Sequence, residues 1–180
     1  MAGPIIFLRD YLDNHITMAK STAERKAEKK ALAHFHLTAN ALIARVGTRA
    51  LYGDQIDALG RELFGRRWGG VTNQGDWRPA RRSGGTFYIV NTAHSTRSPG
   101  VHWVGLYVPP AGVPYAYDSF GRNPRRLLHK VGKTARRAGH ALLGTDPDAE
   151  QPEGSEICGA LSIAWLLSVR DLGVRMAALI

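Results

Sequence analysis

Residues 155–167, SEICGALSIAWLL, limit the folding of this chain more than any other segment. Read as a helix, the run places Leu161, Trp165 and Leu166 on one apolar stripe, which has to be buried against other elements. Ser155 suits the N-cap, and Cys158 then falls in the first turn. Unpaired backbone N–H groups and the helix dipole at such a place favour an anion, so a thiol there leans toward thiolate. Cys158 is the only cysteine in the chain. Taken alone it fits a small buried hydrophobe better. A chemical role has to come from residues elsewhere.

A chain of 180 residues suffices for one ordinary domain with an added arm. A single cysteine leaves no disulfide framework and no zinc ribbon, and suits a reducing compartment. The opening MAGPIIFLRDYLDNH has no basic n-region and too short an apolar stretch for a signal peptide. No uninterrupted apolar segment reaches membrane-spanning length, so the expectation is a soluble intracellular or virion-type protein without a membrane partner. The formal charge is +9. Within residues 122–140 stand Arg122, Arg125, Arg126, Lys130, Lys133, Arg136 and Arg137 with no acid among them. A second group, Arg66, Arg67, Arg78, Arg81 and Arg82, is opposed only by Asp76. Such clusters are either solvated faces or contacts for the phosphates of a nucleic acid.

Residues 19–46 are rich in Ala, Lys, Glu and Leu and predict a helix that Gly47 ends, within an N-terminal helical arm over 1–50. His34 and His36 fall on different faces of that helix and do not share a metal. A second helix is expected in YGDQIDALGRELF, with Asp54 as N-cap and Ile56, Leu59 and Leu63 at helical spacing. Residues 65–85 read as an irregular connection rich in Gly, Arg and Pro. Three strands follow as a meander: TFYIVNTA (86–93), VHWVGLYV (101–108) and PYAYDSF (114–120). Residues 122–143 return to a helical pattern, and the polar loop GTDPDAEQPEGSE leads into the cysteine helix. Helices, then strands, then helices make an α+β fold, with a body over 51–180.

A nucleophilic cysteine needs a base, a group that orients the base, and donors for the oxyanion. His102 and Asp118 fall at a similar phase on neighbouring strand segments, so an imidazole and a carboxylate can meet there. An ion pair of purely structural kind fits the same two residues. Gln151 stands seven residues before Cys158, where its side-chain N–H can join the Cys158 backbone N–H as an oxyanion hole, although a loop glutamine also fits a merely solvated one. Gly159 allows a substrate backbone to come close, or serves packing.

The stretches IVNTA (89–93), GVHW (100–103) and YDSFG (117–121), with Gln151 and CG (158–159), resemble the adenain-like cysteine proteases. That family holds the adenovirus endopeptidase and related enzymes of double-stranded DNA viruses and virus-like transposons, and shares a fold with the proteases of SUMO and ubiquitin-like proteins. The order His, Asp, Gln, Cys is the family's, as are the separations of 16 and 7 residues. GDQIDALGRELFGRRWGGV is similar to its entry helix and the strand after it. The resemblance covers roughly residues 52–172 and implies a papain-like fold: a central mixed, mainly antiparallel sheet flanked by helices, with the nucleophile at the start of a buried one.

The resemblance implies Cys158 as nucleophile, His102 as general base and acid, Asp118 as the orienting carboxylate, and Gln151 with the Cys158 amide as the oxyanion hole. Trp103 would roof a narrow cleft suited to residues without side chains, with Gly159 beside it. The implied activity is a monomeric cysteine endopeptidase that matures viral precursor proteins at Gly-containing sites, in the virion and the infected cell, without a metal. DNA enters as a stimulator. A peptide activator held by disulfide, as the adenovirus enzyme uses, is ruled out for want of a second cysteine. Two other functions stay open: an isopeptidase acting on ubiquitin-like modifiers, and a DNA-binding protein with a vestigial protease fold.

Overall fold

The computed structural model describes residues 20–93 and 102–180. The opening MAGPIIFLRDYLDNH, the first part of the expected arm, and Gly100 and Val101 of the GVHW stretch lie outside the described residues.

Helix α1, Thr22–Val46, starts at Ser21, whose hydroxyl accepts the Glu24 N–H (3.2 Å) while the Glu24 carboxylate accepts the Ser21 N–H (2.7 Å). This reciprocal cap satisfies two of the donors a helix start leaves open. Gly47 ends it at φ 86°, a left-handed value that glycine adopts freely. Its buried face is Ala31, Phe35, Ala39 and Leu42, and that face lies on the cysteine helix. The helical part of the expected arm is thus packed on the body of the protein.

Helix α2, Gly53–Phe64, begins one residue before the expected cap: Tyr52 is the N-cap, and its N–H is taken by the Gln55 side-chain oxygen (2.9 Å). Asp54 falls in the first turn instead, where a carboxylate still favours the helix start. A short 3-10 turn, Gly65–Arg67, leads into strand β1, Trp68–Asn73. Periodicity alone reads this segment as irregular; the strand is the one the resemblance implied. Two glycines hide it, since Gly69 keeps open the space that the Tyr88 ring fills.

Strands β2 (Thr86–Asn91), β3 (Trp103–Val108) and β4 (Tyr115–Tyr117) form the antiparallel meander that the sequence predicts. The helical pattern of 122–143 splits at Leu128 into α3 (Pro124–Leu127) and α4 (His129–Arg137), and then yields strand β5, Leu143–Gly144. β1 pairs parallel with β2 and β5 parallel with β4, so the sheet β1-β2-β3-β4-β5 is mixed. Helix α5, Cys158–Leu172, and the short α6, Val174–Ala177, close the chain.

The pleat divides the core in two. Phe87, Ile89, Tyr107 and Tyr117 face α1, α2 and α5, while Tyr88, Val90, Val104, Leu106 and Val108 face Leu128, Val131, Leu142 and Trp77. Helix α5 lies between α1 and β3, which explains why every residue from Gly159 to Val169 is buried rather than one stripe. It sits directly on β3: a side chain at Gly105 would stand 3.0 Å from the Trp165 ring and 3.1 Å from the Ser162 carbonyl. The coarse reading, α+β with helices flanking a mixed sheet, describes this fold; the sheet has five strands, and its pairings are half parallel and half antiparallel rather than mainly antiparallel. Among the described residues no helix is long and apolar enough to cross a membrane.

If α1 belongs to the core, Phe35→Ala should lower the unfolding free energy by about 3–5 kcal/mol. The ring is 0% exposed and lies 5.7 Å from that of Tyr117. Leu37→Ala, on the same helix at 73% exposure, should change stability by less than about 0.5 kcal/mol. Equal effects of the two in denaturant titrations would detach α1 from the core.

Candidate active site

Antiparallel pairing places the start of β3 beside the end of β4, and two ionisable groups meet there. His102 immediately precedes β3, with its carbonyl accepting the Thr92 N–H (3.0 Å) in continuation of the β2 ladder. Asp118 immediately follows β4. The register pairs Gly105 with Tyr117, so His102 and Asp118 meet diagonally beyond the strand ends, not as directly opposed residues. Their contact is close: His102 Nε2 to Asp118 Oδ1 is 2.5 Å, with both side chains buried.

Cys158 is the first residue of α5, and the N-cap is Ile157, not Ser155. Ser155 stays in the preceding turn, where its hydroxyl donates to the Pro152 carbonyl (2.8 Å) and its carbonyl accepts the Gln151 amide (2.7 Å). No side chain caps the helix, so its first amides are left to the thiol. Burial works to raise the thiol's pKa, yet the His102 imidazole, the Trp103 and Gly159 backbone amides and the imidazole's charge together hold it below the ordinary value. His102 is perturbed the other way. Burial opposes its charged form, but hydrogen bonds to Asp118 and Cys158 keep it above 6.5. With Nε2 committed to Asp118, Nδ1 is the nitrogen left for the thiol. Asp118, buried as it is, stays well below the usual carboxylate range because His102 and Arg122 both bond it.

Gln151 is held from the Asp118 side. The next residue, Ser119, accepts the Gln151 N–H (2.9 Å) and the Glu150 N–H (3.0 Å) on its carbonyl, and its hydroxyl donates to Gln151 Oε1 (2.6 Å). One N–H of the carboxamide donates to the Ser155 carbonyl, and the amide carries a second. The Trp103 indole is pinned by donation to the Leu51 carbonyl (2.9 Å) and packs toward Gly53, forming a wall between the start of α2 and β3. Gly159 has the packing role: a side chain there would stand 3.2 Å from Ile56 and 3.4 Å from Leu51, inside the core.

The basic residues do not stay together. Arg122 leaves its group for Asp118, with Nε on Oδ2 (2.7 Å), Nη2 on Oδ1 (3.0 Å) and its backbone N–H on Oδ2 (3.0 Å). Arg125 turns to the Leu142 carbonyl (2.9 Å). Arg126, Lys133, Arg136 and Arg137 are exposed along α3 and α4, with Lys130 partly so. In the second group, Arg81 donates to the carbonyls of Pro109 and Gly112, Arg82 to those of Arg66 and Trp68, and Arg67 lies over the Phe87 ring at 4.4 Å. These arginines tie down the turn between β1 and β2. Among the described residues no group of three or more His, Cys, Asp or Glu is placed to hold a metal. His34 faces Asp171 (3.3 Å) across α1 and α5.

Sequence reasoning missed Ser119 as the holder of Gln151 and Arg122 as a partner of Asp118. The separation of four residues between Asp118 and Arg122 was the available signal, masked by the run of charge that follows. It also missed Glu150, whose Oε2 accepts the Tyr117 hydroxyl (3.0 Å). Burial pushes the Glu150 carboxyl up to about 7, the Tyr117 hydroxyl opposes this, and Asp148 and Asp146 add to it. Between 4.5 and about 7 the folded chain therefore keeps a proton that the unfolded chain has lost, and stability falls as pH rises through that window. Glu150→Gln cannot ionise. Its melting temperature relative to wild type should climb between pH 4.5 and 7 and then level off; a constant difference would deny Glu150 this titration.

Neither protein-family models nor curated protein sequences give a match to this chain.

Proposed function

We propose that this chain is a cysteine endopeptidase of the adenain-like, papain-like type. The observation that carries the reading is the position of His102, between the Asp118 carboxylate and a Cys158 thiol on the first residue of a buried helix. The thiol is lowered and the imidazole raised, the directions that favour a thiolate–imidazolium pair.

The Cys158 thiolate attacks a peptide carbonyl carbon. The carbonyl oxygen becomes an oxyanion that takes hydrogen bonds from the Cys158 backbone N–H and the second N–H of Gln151. His102 gives its Nδ1 proton to the departing amine, the C–N bond breaks, and an acyl-enzyme remains. A water then loses a proton to His102 and attacks the thioester, which frees the acid and restores the thiolate. Asp118 holds the ring throughout. No step calls for a metal. By resemblance the substrates are viral precursor proteins cut at Gly-containing sites, with Trp103 narrowing the cleft, in the virion and the infected cell.

Cleavage of short Gly-Gly and Gly-Ala peptides, lost together with thiol-probe labelling in Cys158→Ala, is the expected result. Gln151→Ala should raise the barrier by about 2–4 kcal/mol while probe labelling persists. Activity confined to ubiquitin or SUMO conjugates would replace the maturation reading by an isopeptidase, and cleavage that survives Cys158→Ala would end both.

The exposed basic face of α3 and α4 favours nucleic acid as a second partner, with DNA as a stimulator of the same enzyme. Binding to duplex DNA should weaken steeply as salt rises. Charge reversal at Arg126, Arg136 and Arg137 should flatten that slope; an unchanged slope would return these residues to a solvated face.

A further inference from the structure

The Asp118 carboxylate is bonded from two sides. Its Oδ1 meets His102 Nε2 (2.5 Å) and Arg122 Nη2 (3.0 Å), while Oδ2 meets Arg122 Nε (2.7 Å) and the Arg122 backbone N–H (3.0 Å). The Asp118 side chain is 1% exposed and that of Arg122 46%. A turn brings the arginine back. The Gly121 N–H donates to the Asp118 carbonyl (2.8 Å), and Gly121 adopts φ 65° with the Pro147 carbonyl oxygen filling the place where a Cβ would stand. The guanidinium lies 5.0 Å over the Phe120 ring, which lies 5.2 Å from the His102 ring.

We propose that Arg122 is a positioning residue of this site: its guanidinium fork fixes the Asp118 carboxylate in the orientation that presents Oδ1 to His102. The proposal rests on Cys158 and His102 being nucleophile and base. Without the guanidinium each carboxylate oxygen keeps a single donor, the Arg122 backbone N–H on Oδ2 and His102 on Oδ1, about which carboxylate and imidazole can rock together. Two parallel N–H donors stop that motion, which a lysine's point charge does not. The cation has a second effect. It shares the carboxylate's charge with His102, and it acts on Cys158 through space, since each stabilises the charged form of the other. Among the described residues the titratable groups acting on the cluster are His102, Cys158, Asp118 and Arg122 themselves, with Tyr117 beside Asp118 and Glu150 bonded to Tyr117, while the Trp103 and Gly159 backbone amides bond the sulfur.

The test uses the lone cysteine. The pH dependence of Cys158 alkylation by iodoacetamide is measured beside peptide cleavage, in wild type, Arg122→Gln and Arg122→Lys. Arg122→Gln should move the alkylation midpoint to higher pH, because a cation supporting the thiolate is gone, and should lower kcat about 10–100-fold with KM little changed. Arg122→Lys should restore the midpoint but not kcat. A wild-type midpoint and kcat in Arg122→Gln, with only melting temperature reduced, would make the pair purely structural and overturn the proposal. If Arg122→Gln does not fold, a wild-type kcat in Arg122→Lys overturns it equally. Should wild type cleave no peptide, the protease reading fails, while the alkylation midpoints in Arg122→Gln and Arg122→Lys still decide whether Arg122 acts on the cluster.

Discussion

Helix α5 is apolar on every side, and the rest of the molecule is arranged to keep it from water. The sheet covers one side through β3 and α1 covers another. Each large side chain removed from water there is worth about 1.5–3 kcal/mol, so Leu161, Ile163, Trp165, Leu166 and Leu167 outweigh any single polar contact. Gly105 lets the helix rest on the strand, and the Ser162 hydroxyl donates to the Trp103 carbonyl (3.0 Å), which ties the helix's first turns to the residue after His102. The placement of Cys158 against His102 is therefore set by core packing. A thiol carried on a loop would have no such support.

The second constraint is electrostatic. Asp118 is an ionised carboxylate withdrawn from water, a state that costs several kcal/mol unless both oxygens are paired. Here both are. The chain around it is equally committed: Ser119 binds the loop that bears Gln151, and Gly121 touches Pro147 of the same loop. Residues 118–122 thus join the carboxylate, the glutamine loop and the basic segment.

Much of this was legible because it depends on short-range patterns. The cysteine helix, the three meander strands and helix α1 follow from apolar spacing, β-branched content and a stretch rich in Ala, Lys, Glu and Leu, whereas the Ser21–Glu24 cap of α1 was not read. Boundaries were less so. Ser155 and Asp54 have the chemistry of N-caps, but neither stands where its helix begins. Ser155 is held in a turn that anchors Gln151, and Asp54 lies inside the first turn of α2. Strands β1 and β5 carry glycine in place of a strand's usual side chains, and both are held by parallel neighbours distant in sequence. Arg122 was read with its charged neighbours because net charge along a chain says nothing of which cation folds back onto an acid. Gly159 and Trp103 show the same limit. Whether the residue after Cys158 faces outward or into the core depends on Leu51 and Ile56, which come from another helix's entry.

The sheet and the cysteine helix also differ in how far along the chain their contacts reach. His102 and Asp118 are brought together by the neighbouring strands β3 and β4, a contact that closes over a short connection at small entropic cost. The thiol comes from a helix that starts 40 residues after Asp118 (158 − 118), which must dock between β3 and α1 before Cys158 meets the imidazole. Until that helix docks, Cys158 has no imidazole beside it. The lowered thiol is then a property of the completed fold, and in a nascent or partly unfolded copy the sulfur returns toward its ordinary pKa.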